Sequence, residues 1–389
     1  MLPRTGAAWN VEDANVRTPD RVVVHVIAGD LPAVCRDALE TLCENGASAL
    51  SARCLHIGPG RIWTPRGRKA VRVHAPLAWP RLGARALRAA LRRQDPPHLG
   101  QTVILHAWTP MAAAWSTELT APAVRVLVEV DSAVGAARYV CWPRSGRLAD
   151  MPTYVCPTSA TQQQLRQLGV PRACTVLIRP GVGLRISAHC DRDRRAAIRA
   201  RLGLGEPDVV VLALPPVARQ VGTLYAAWGA MLLEKIRPDV RLVIPGDGPE
   251  QQRVRRLVEA CRHEEVVRFA GESVPLPDLL AAADIAVYLP ADDAATTGVV
   301  WAMAVGCPLI VSALPSILET VDGDAGARLC QPHSPADAAR QMLRALEDPR
   351  ATQARADHAR RRAADMFSLE RMLTQYADCY GELASIPRH

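Results

Sequence analysis

Aromatic side chains are scarce in this chain: two Phe, six Tyr and eight Trp make up 4% of 389 residues. Its cores must therefore be assembled from Leu, Val, Ile and Ala. Lysine is scarcer still: Lys69 and Lys235 are the only two, and arginine supplies the other 45 of 47 basic residues. Eleven cysteines are scattered with no CxxC pair and no Cys/His set at zinc spacing. That speaks against metal ribbons and redox motifs and for buried thiols in a reducing, cytoplasmic setting. No run of 18 apolar residues occurs, so a spanning helix is not expected. Residues Met1–Asp20 are polar, with Glu12, Asp13 and Pro19, and do not read as a signal peptide.

What is present defines a globular protein. With 49% apolar and 22% charged residues the chain can bury real cores, and its 389 residues suggest two or three domains. The net charge of +8 suits an anionic substrate, an anionic membrane surface or nucleic acid. Nucleic acid is the weakest of these, because only Trp63 and Trp79 stand near the basic stretch as stacking residues. That stretch lies between Arg61 and Arg93. Within it Arg81, Arg85, Arg88 and Arg92 fall on one helical face opposite Leu87 and Leu91, a pattern for peripheral contact with anionic lipid or for a solvated helix face.

Short apolar runs alternate with helical periodicity along the whole chain. Arg21–Ala28 (RVVVHVIA) ends at Gly29-Asp30-Leu31-Pro32 and leads into a helical pattern over Ala33–Asn45. Further strands are expected at Thr102–Leu105, Val124–Val128, Tyr154–Cys156 and Thr175–Ile178. After Gly181 the rhythm restarts, with strands at Val209–Leu214, Arg241–Pro245, Val266–Ala270, Asp284–Leu289 and Pro308–Val311. Runs without polar alternation imply strands buried on both faces of a parallel sheet. The expected architecture is α/β: two Rossmann-like, doubly wound domains facing across a cleft. Its parts are a flexible segment 1–20, an N-terminal domain 21–180, a C-terminal domain 181–366 and a returning helix within 367–389. In that helix Met372, Tyr376 and Tyr380 form one apolar stripe.

The second half carries an ordered series of landmarks: RLVIPGDGPE at Arg241–Glu250, VRFAG at Val267–Gly271, LLAAADIAVYL at Leu279–Leu289 and WAMAVGCPLIVS at Trp301–Ser312. Phe367–Met372 (FSLERM) follows near the end. The first half adds HVIAG at Gly29, ILHAW at His106 and PTSATQQQLRQLGVP at Pro157–Pro171. In this order and spacing they resemble the GT-B glycosyltransferases of family 4 (group 1). The resemblance spans about Arg21 to Tyr380 and implies the GT-B fold. It also implies a retaining, metal-independent transferase with no cofactor, which uses a nucleotide-diphosphate sugar donor and a glycan, lipid-linked or small-molecule acceptor.

The resemblance also implies which residues form the site, and here the chain departs from the family. The family's E-x7-E pair falls on Asp293 and Trp301. Asp293 keeps a carboxylate for sugar hydroxyls, whereas the Trp301 indole has one N–H and no acceptor. Of the basic pair, Arg219 keeps its charge for a phosphate, and Leu214 stands where the family has arginine. Thr296, Thr297 and Gly298 start a helix whose amides form an anion nest, or simply its cap. Gly29, Gly246, Gly271 and Trp301 are expected on the donor side, with Gly29 in a loop where acceptor or diphosphate approaches backbone closely and Trp301 stacking on a ligand or filling space. His106 is expected at the cleft as a catalytic candidate or a structural histidine. The histidine that commonly ends the Val124–Val128 strand is replaced by Glu129 and Asp131, and Pro180-Gly181-Val182-Gly183 replaces the family's polar hinge. Two readings follow: an active glycosyltransferase with a diverged donor site, or a GT-B protein without catalysis that serves as a binding or scaffold partner.

Overall fold

The computed structural model describes residues 21–28, 39, 42, 51–57, 70–73, 80–93 and 102–385, except 120, 122, 144, 148, 149, 184–191, 272 and 273. Two all-parallel sheets are present among them. The N-terminal sheet has the order β3-β2-β1-β4-β5-β6-β7. Its strands are β1 (Arg21–Ala28), β2 (Ser51–Ile57), β3 (Ala70–Val73), β4 (Thr102–Ala107), β5 (Val124–Glu129), β6 (Thr153–Cys156) and β7 (Thr175–Leu177). The C-terminal sheet runs β10-β9-β8-β11-β12-β13. Its strands are β8 (Val209–Ala213), β9 (Val240–Pro245), β10 (Val267–Gly271), β11 (Ile285–Tyr288), β12 (Leu309–Ser312) and β13 (Arg328–Cys330). The expected α/β class is what the structure has. Strands β2, β3 and β13 were not anticipated, being short or interrupted by polar residues.

The alternation of side chains along each strand explains why both sheet faces are covered. In β1, Val22, Val24, Val26 and Ala28 join the core beneath helices α1 (Pro80–Arg93) and α2 (Pro110–Thr117). Val23 and Ile27 point the other way, into a core completed by the C-terminal helix. In α1, Leu87 is buried while Arg85 and Arg88 are exposed, as an amphipathic helix demands. The second sheet divides likewise: Val211 and Ala213 face one core, Val210 and Leu212 the other.

The remaining helices position the cleft. They are α3 (Ser159–Gln167), α4 (Arg192–Arg201), α5 (Thr223–Glu234), α6 (Gln251–Cys261), α7 (Leu276–Ala282), α8 (Thr297–Val305), α9 (Pro315–Val321), α10 (Pro335–Glu347), α11 (Pro349–Met366) and α12 (Leu369–Ser385). Helix α11 packs on α8 of the second sheet. The chain then turns at Phe367-Ser368, and α12 lays Met372, Tyr376, Cys379, Tyr380 and Leu383 over the first sheet. Cys156, Cys174, Cys307, Cys330 and Cys379 are buried free thiols. No helix among the described residues is long and apolar enough to cross a membrane.

The two inter-domain crossings are zipped together. Val182 N–H donates to Phe367 O (2.9 Å), and Leu369 N–H donates to Val182 O (3.2 Å). Gly181 makes the approach possible, because a Cβ there would lie 2.8 Å from Ser368 O and 2.9 Å from Leu369 Cα. Both obstacles are backbone, so Gly181→Ala should cost roughly 1–3 kcal/mol, as overpacking usually does. Urea denaturation followed by circular dichroism would measure this loss.

Candidate active site

Ligands of open parallel sheets bind beyond the strand carboxyl ends, where the strand order reverses. In the second sheet that point lies between β8 and β11, and the loops leaving these strands meet there. The loop after β8 turns through a 3-10 segment, Arg219–Val221, into Gly222, whose φ is 73°. A Cβ on Gly222 would lie 1.7 Å from Leu289 O, so glycine lets this turn press on the exit of β11. The segment following β11 opens α8, where the Cβ position of Gly298 is 3.6 Å from Pro215 O.

Arg219 and the start of α8 are thus brought to the same end of the sheet. Arg219 is exposed and makes no ion pair with another described residue. Val300 N–H is the first to bond within α8, to Thr296 O at 3.0 Å. The N–H groups of Thr297, Gly298 and Val299 therefore have no helical acceptor, and the buried Thr296 Oγ1 lacks a partner among the described residues. An unpartnered helix N-terminus carries partial positive charge. Such an end attracts an anionic group.

Asp293 stands on the cleft wall and does two jobs. Its carboxylate accepts from Ser316 N–H (3.0 and 3.2 Å) and Ser316 Oγ (2.9 Å), holding the first turn of α9. Its backbone carbonyl accepts from Val134 N–H of the opposite domain (3.1 Å). Burial raises the Asp293 carboxyl above its ordinary range, the Ser316 hydrogen bonds oppose this, and Glu319 adds to the rise. Nearby, Thr158 Oγ1 lies 2.9 Å from Ser316 Oγ, and Glu319 accepts from Ser159 N–H (2.7 Å), Ser159 Oγ (3.0 Å) and Arg179 (3.0 Å). The Glu319 carboxylate at the N-terminus of α3 and the Thr158–Ser316 contact thereby join the domains, while the Asp293 carboxylate holds the N-terminus of α9 within its own domain. Beside this clasp opens a cleft of about 460 Å³, walled by Ala133, Val134, Asp293 and the Gln163, Gln164 and Gln167 side of α3.

A second, water-sized recess of about 30 Å³ lies deeper, with Thr297 on one domain and Glu129, Asp131, Arg179 and Tyr376 among the other lining residues. Glu129 ends β5 and is gripped from behind. Tyr376 OH donates to its Oε2 (2.8 Å), and His106 Nε2 lies 3.3 Å from the same oxygen. His106 Nδ1 in turn sits 2.8 Å from Tyr380 OH, its ring 4.3 Å from that of Trp108. Trp108 Nε1–H donates to His25 Nδ1 at 3.1 Å. Burial pushes the Glu129 carboxyl up to about 8 against the Tyr376 hydrogen bond, and Asp131 pushes it further. Burial also lowers His106 to about 3. Both shifts favour the uncharged partner, so this contact is a hydrogen bond between neutral groups and not an ion pair.

The candidate residues thus separate. Asp293 lines the larger cleft and Thr297 the deeper recess, while Arg219, Thr296 and Gly298 lie on loops at the same end of the sheet. His106 lines neither: it is fully buried, with Glu129 between it and the recess. Trp301 is half-buried and packs on the second-domain core, in which Leu214 is fully engaged. Indole therefore fills space where the family has a carboxylate. Gly246 and Gly271, at φ 74° and 61°, bond to each other through Gly246 N–H and Gly271 O (2.7 Å), tying the ends of β9 and β10. Gly29 lies outside the described residues. Glu129 was noticed in the sequence only as a replacement. Its signal was a carboxylate at the exit of an apolar strand, but its partners on α12 are 247 and more positions away.

Two facing parallel-sheet domains, a zipped double crossing and a returning C-terminal helix define a GT-B protein. Solved structures agree on the fold. HepE of Anabaena, determined in complex with UDP-glucose, superposes with a TM-score of 0.77 at 16% identity, covering 93% of this chain and 99% of that one. Sucrose-phosphate synthase of Thermosynechococcus elongatus gives 0.73 at 19% identity, covering 93% and 99%. Residues 198–363 match the family model described as Glycosyl transferases group 1, so the C-terminal domain is similar to that family. Among curated relatives, a D-inositol 3-phosphate glycosyltransferase of Streptomyces avermitilis is 28% identical over 300 residues, 72% of this chain and 60% of that protein. An N-acetyl-alpha-D-glucosaminyl L-malate synthase of Bacillus anthracis is 29% identical over 143 residues, 36% of this chain and 37% of that protein. The chain thus spans less than two thirds of these relatives' length.

The buried pair sets a pH dependence of stability. Unfolded, Glu129 releases its proton near 4.5, whereas folded it holds it to about 8. Across that interval the unfolded chain binds fewer protons, so stability falls as pH rises. His106 acts oppositely: unfolded it gains a proton below 6.5 and folded only near 3, so stability falls as pH drops through that range. Glu129→Gln should flatten the alkaline limb and leave the acid limb in place. Thermal melting of both proteins from acid to alkaline pH checks this by difference.

Proposed function

We propose that this protein transfers a sugar from a nucleotide-diphosphate donor to a glycan or lipid-linked acceptor, with retention at the transferred carbon and without need of a metal. The observation that carries the reading is the joint placement of Arg219 and the unpartnered N–H groups of α8 at the switch point of the group 1 domain. Cleavage of a sugar–diphosphate bond leaves negative charge on the leaving phosphate. Fixed donors aimed at that charge stabilise it without reorganising. Here the guanidinium supplies a fork of hydrogen bonds, and the helix end supplies N–H groups with the Thr297 hydroxyl beside them. Asp293 offers lone pairs to donor-sugar hydroxyls while it holds α9. Glu129, protonated at neutral pH, faces Thr297 as an uncharged neighbour that does not repel the diphosphate. The fold neighbour HepE, solved in complex with UDP-glucose, supports a nucleotide-sugar donor. The exposed arginines of α1 fit peripheral contact with an anionic membrane surface.

A second reading has its own observation. Leu214 and Trp301 are packed into or against the core at positions where the family places an arginine and a carboxylate, which suits a GT-B scaffold that binds without transferring. Titration calorimetry with UDP, GDP and ADP and their glucose or mannose conjugates distinguishes the two. At least one nucleotide should bind, and Arg219→Ala should weaken it by about tenfold or more, the usual effect of losing a charged hydrogen bond. If no nucleotide binds, the transferase reading falls and the scaffold stands.

A further inference from the structure

The larger cleft carries information about what enters opposite the donor. Helix α3 presents Gln163, Gln164 and Gln167 to it on one face, at i, i+1 and i+4 spacing, facing Asp293 across the opening. These three amides make no side-chain hydrogen bond to another described residue, and each offers two donors and an acceptor. Among the described residues no cation lines the cleft, in a chain with 45 arginines and a net charge of +8. The nearby Arg179 is already paired with Glu319 at 3.0 Å. An anionic group here would meet the Asp293 carboxylate with no lining cation to offset it.

The 3-10 turn Ala136–Arg138 packs along α3 and continues toward Trp142. Trp142 is 59% exposed, although Trp108 and Trp115 of the same domain are buried. Its ring covers Gly169, just past the end of α3, lying 3.5 Å from where a Cβ would be. An open indole face beyond a row of free amides matches a sugar ring, with its apolar C–H face on one side and hydroxyls around the edge. From Ala160 to Gln167 the helix runs about 10 Å, which leaves room for more than one ring.

We propose that this groove is the acceptor subsite and that it takes an uncharged oligosaccharide, with the glutamine amides on its hydroxyls and one ring stacked on Trp142. The proposal rests on the transferase reading for the word acceptor, but the binding itself is measurable alone. Saturation-transfer difference NMR on the full chain would use maltose, cellobiose, chitobiose and a methyl mannobioside, with glucose 6-phosphate and glucuronic acid as charged counterparts. At least one neutral disaccharide should bind, ahead of both charged sugars. Trp142→Ala, and Gln163→Ala combined with Gln167→Ala, should each weaken it on the order of tenfold. Gln167→Arg should shift preference toward glucose 6-phosphate, which keeps the test open if an alanine variant misfolds.

A charged sugar that binds better than its neutral counterparts overturns the proposal, as does binding indifferent to both sets of variants or no binding by any neutral disaccharide. UDP titrated into the same samples separates the two claims. Neutral-sugar binding without UDP binding overturns the transferase reading and leaves the groove, whereas the reverse removes the groove alone.

Discussion

Everything in this molecule hangs on the double crossing at Val182 and Ser368. The chain passes from the first sheet to the second once and returns once, and the two passages pair backbone to backbone in the space that Gly181 leaves open. Because the return ends in α12, the same crossing also sets Tyr376 and Tyr380 over the first sheet. The position of Glu129 depends on that helix, and through Glu129 so does the deep recess. A hinge is thus also the support of a site, so the domains are joined by a ribbon and not by a tether.

The scarcity of aromatic residues acquires a meaning in this light. The few that exist are not spread evenly through aliphatic cores. Trp108, Tyr376 and Tyr380 gather with His25 and His106 behind Glu129, where an apolar surrounding must also satisfy polar tips. A carboxyl held there by a tyrosine hydroxyl and an imidazole keeps its proton without any metal or cation. His106 earns its place at second remove, as part of the wall that keeps Glu129 neutral.

The fold was readable because it is written in local pattern. Unbroken apolar runs mark strands covered on both faces, and β1 shows why, with Val22 and Val23 serving two different cores. Strands β2, β3 and β13 escaped because polar residues interrupt them or three to four residues carry too little periodicity. Part of the candidate site was readable as positions: the loops carrying Arg219, Asp293 and Thr296–Gly298 leave β8 and β11 at the same end of the sheet. Their partners were not readable. That Asp293 is committed to Ser316, that Trp301 fills a core margin, and that Glu129 meets Tyr376 are facts of distant packing, and no local spacing encodes them. His106 stays open between two roles for the same reason: its strand position is visible in sequence, whereas what covers it comes from the far end of the chain.

The clasp centred on Glu319 has a consequence for how the domains are held. The crossing is a backbone pair protected by packing, but the clasp rests on a carboxylate at a helix end near the rim, where water and ions reach it. In a protein with excess positive charge, acids are the minority charge, and dissolved anions compete with Glu319 for the same helix end and for Arg179. The clasp is thus the part of the inter-domain contact that feels the surrounding ionic strength, and the crossing the part shielded from it.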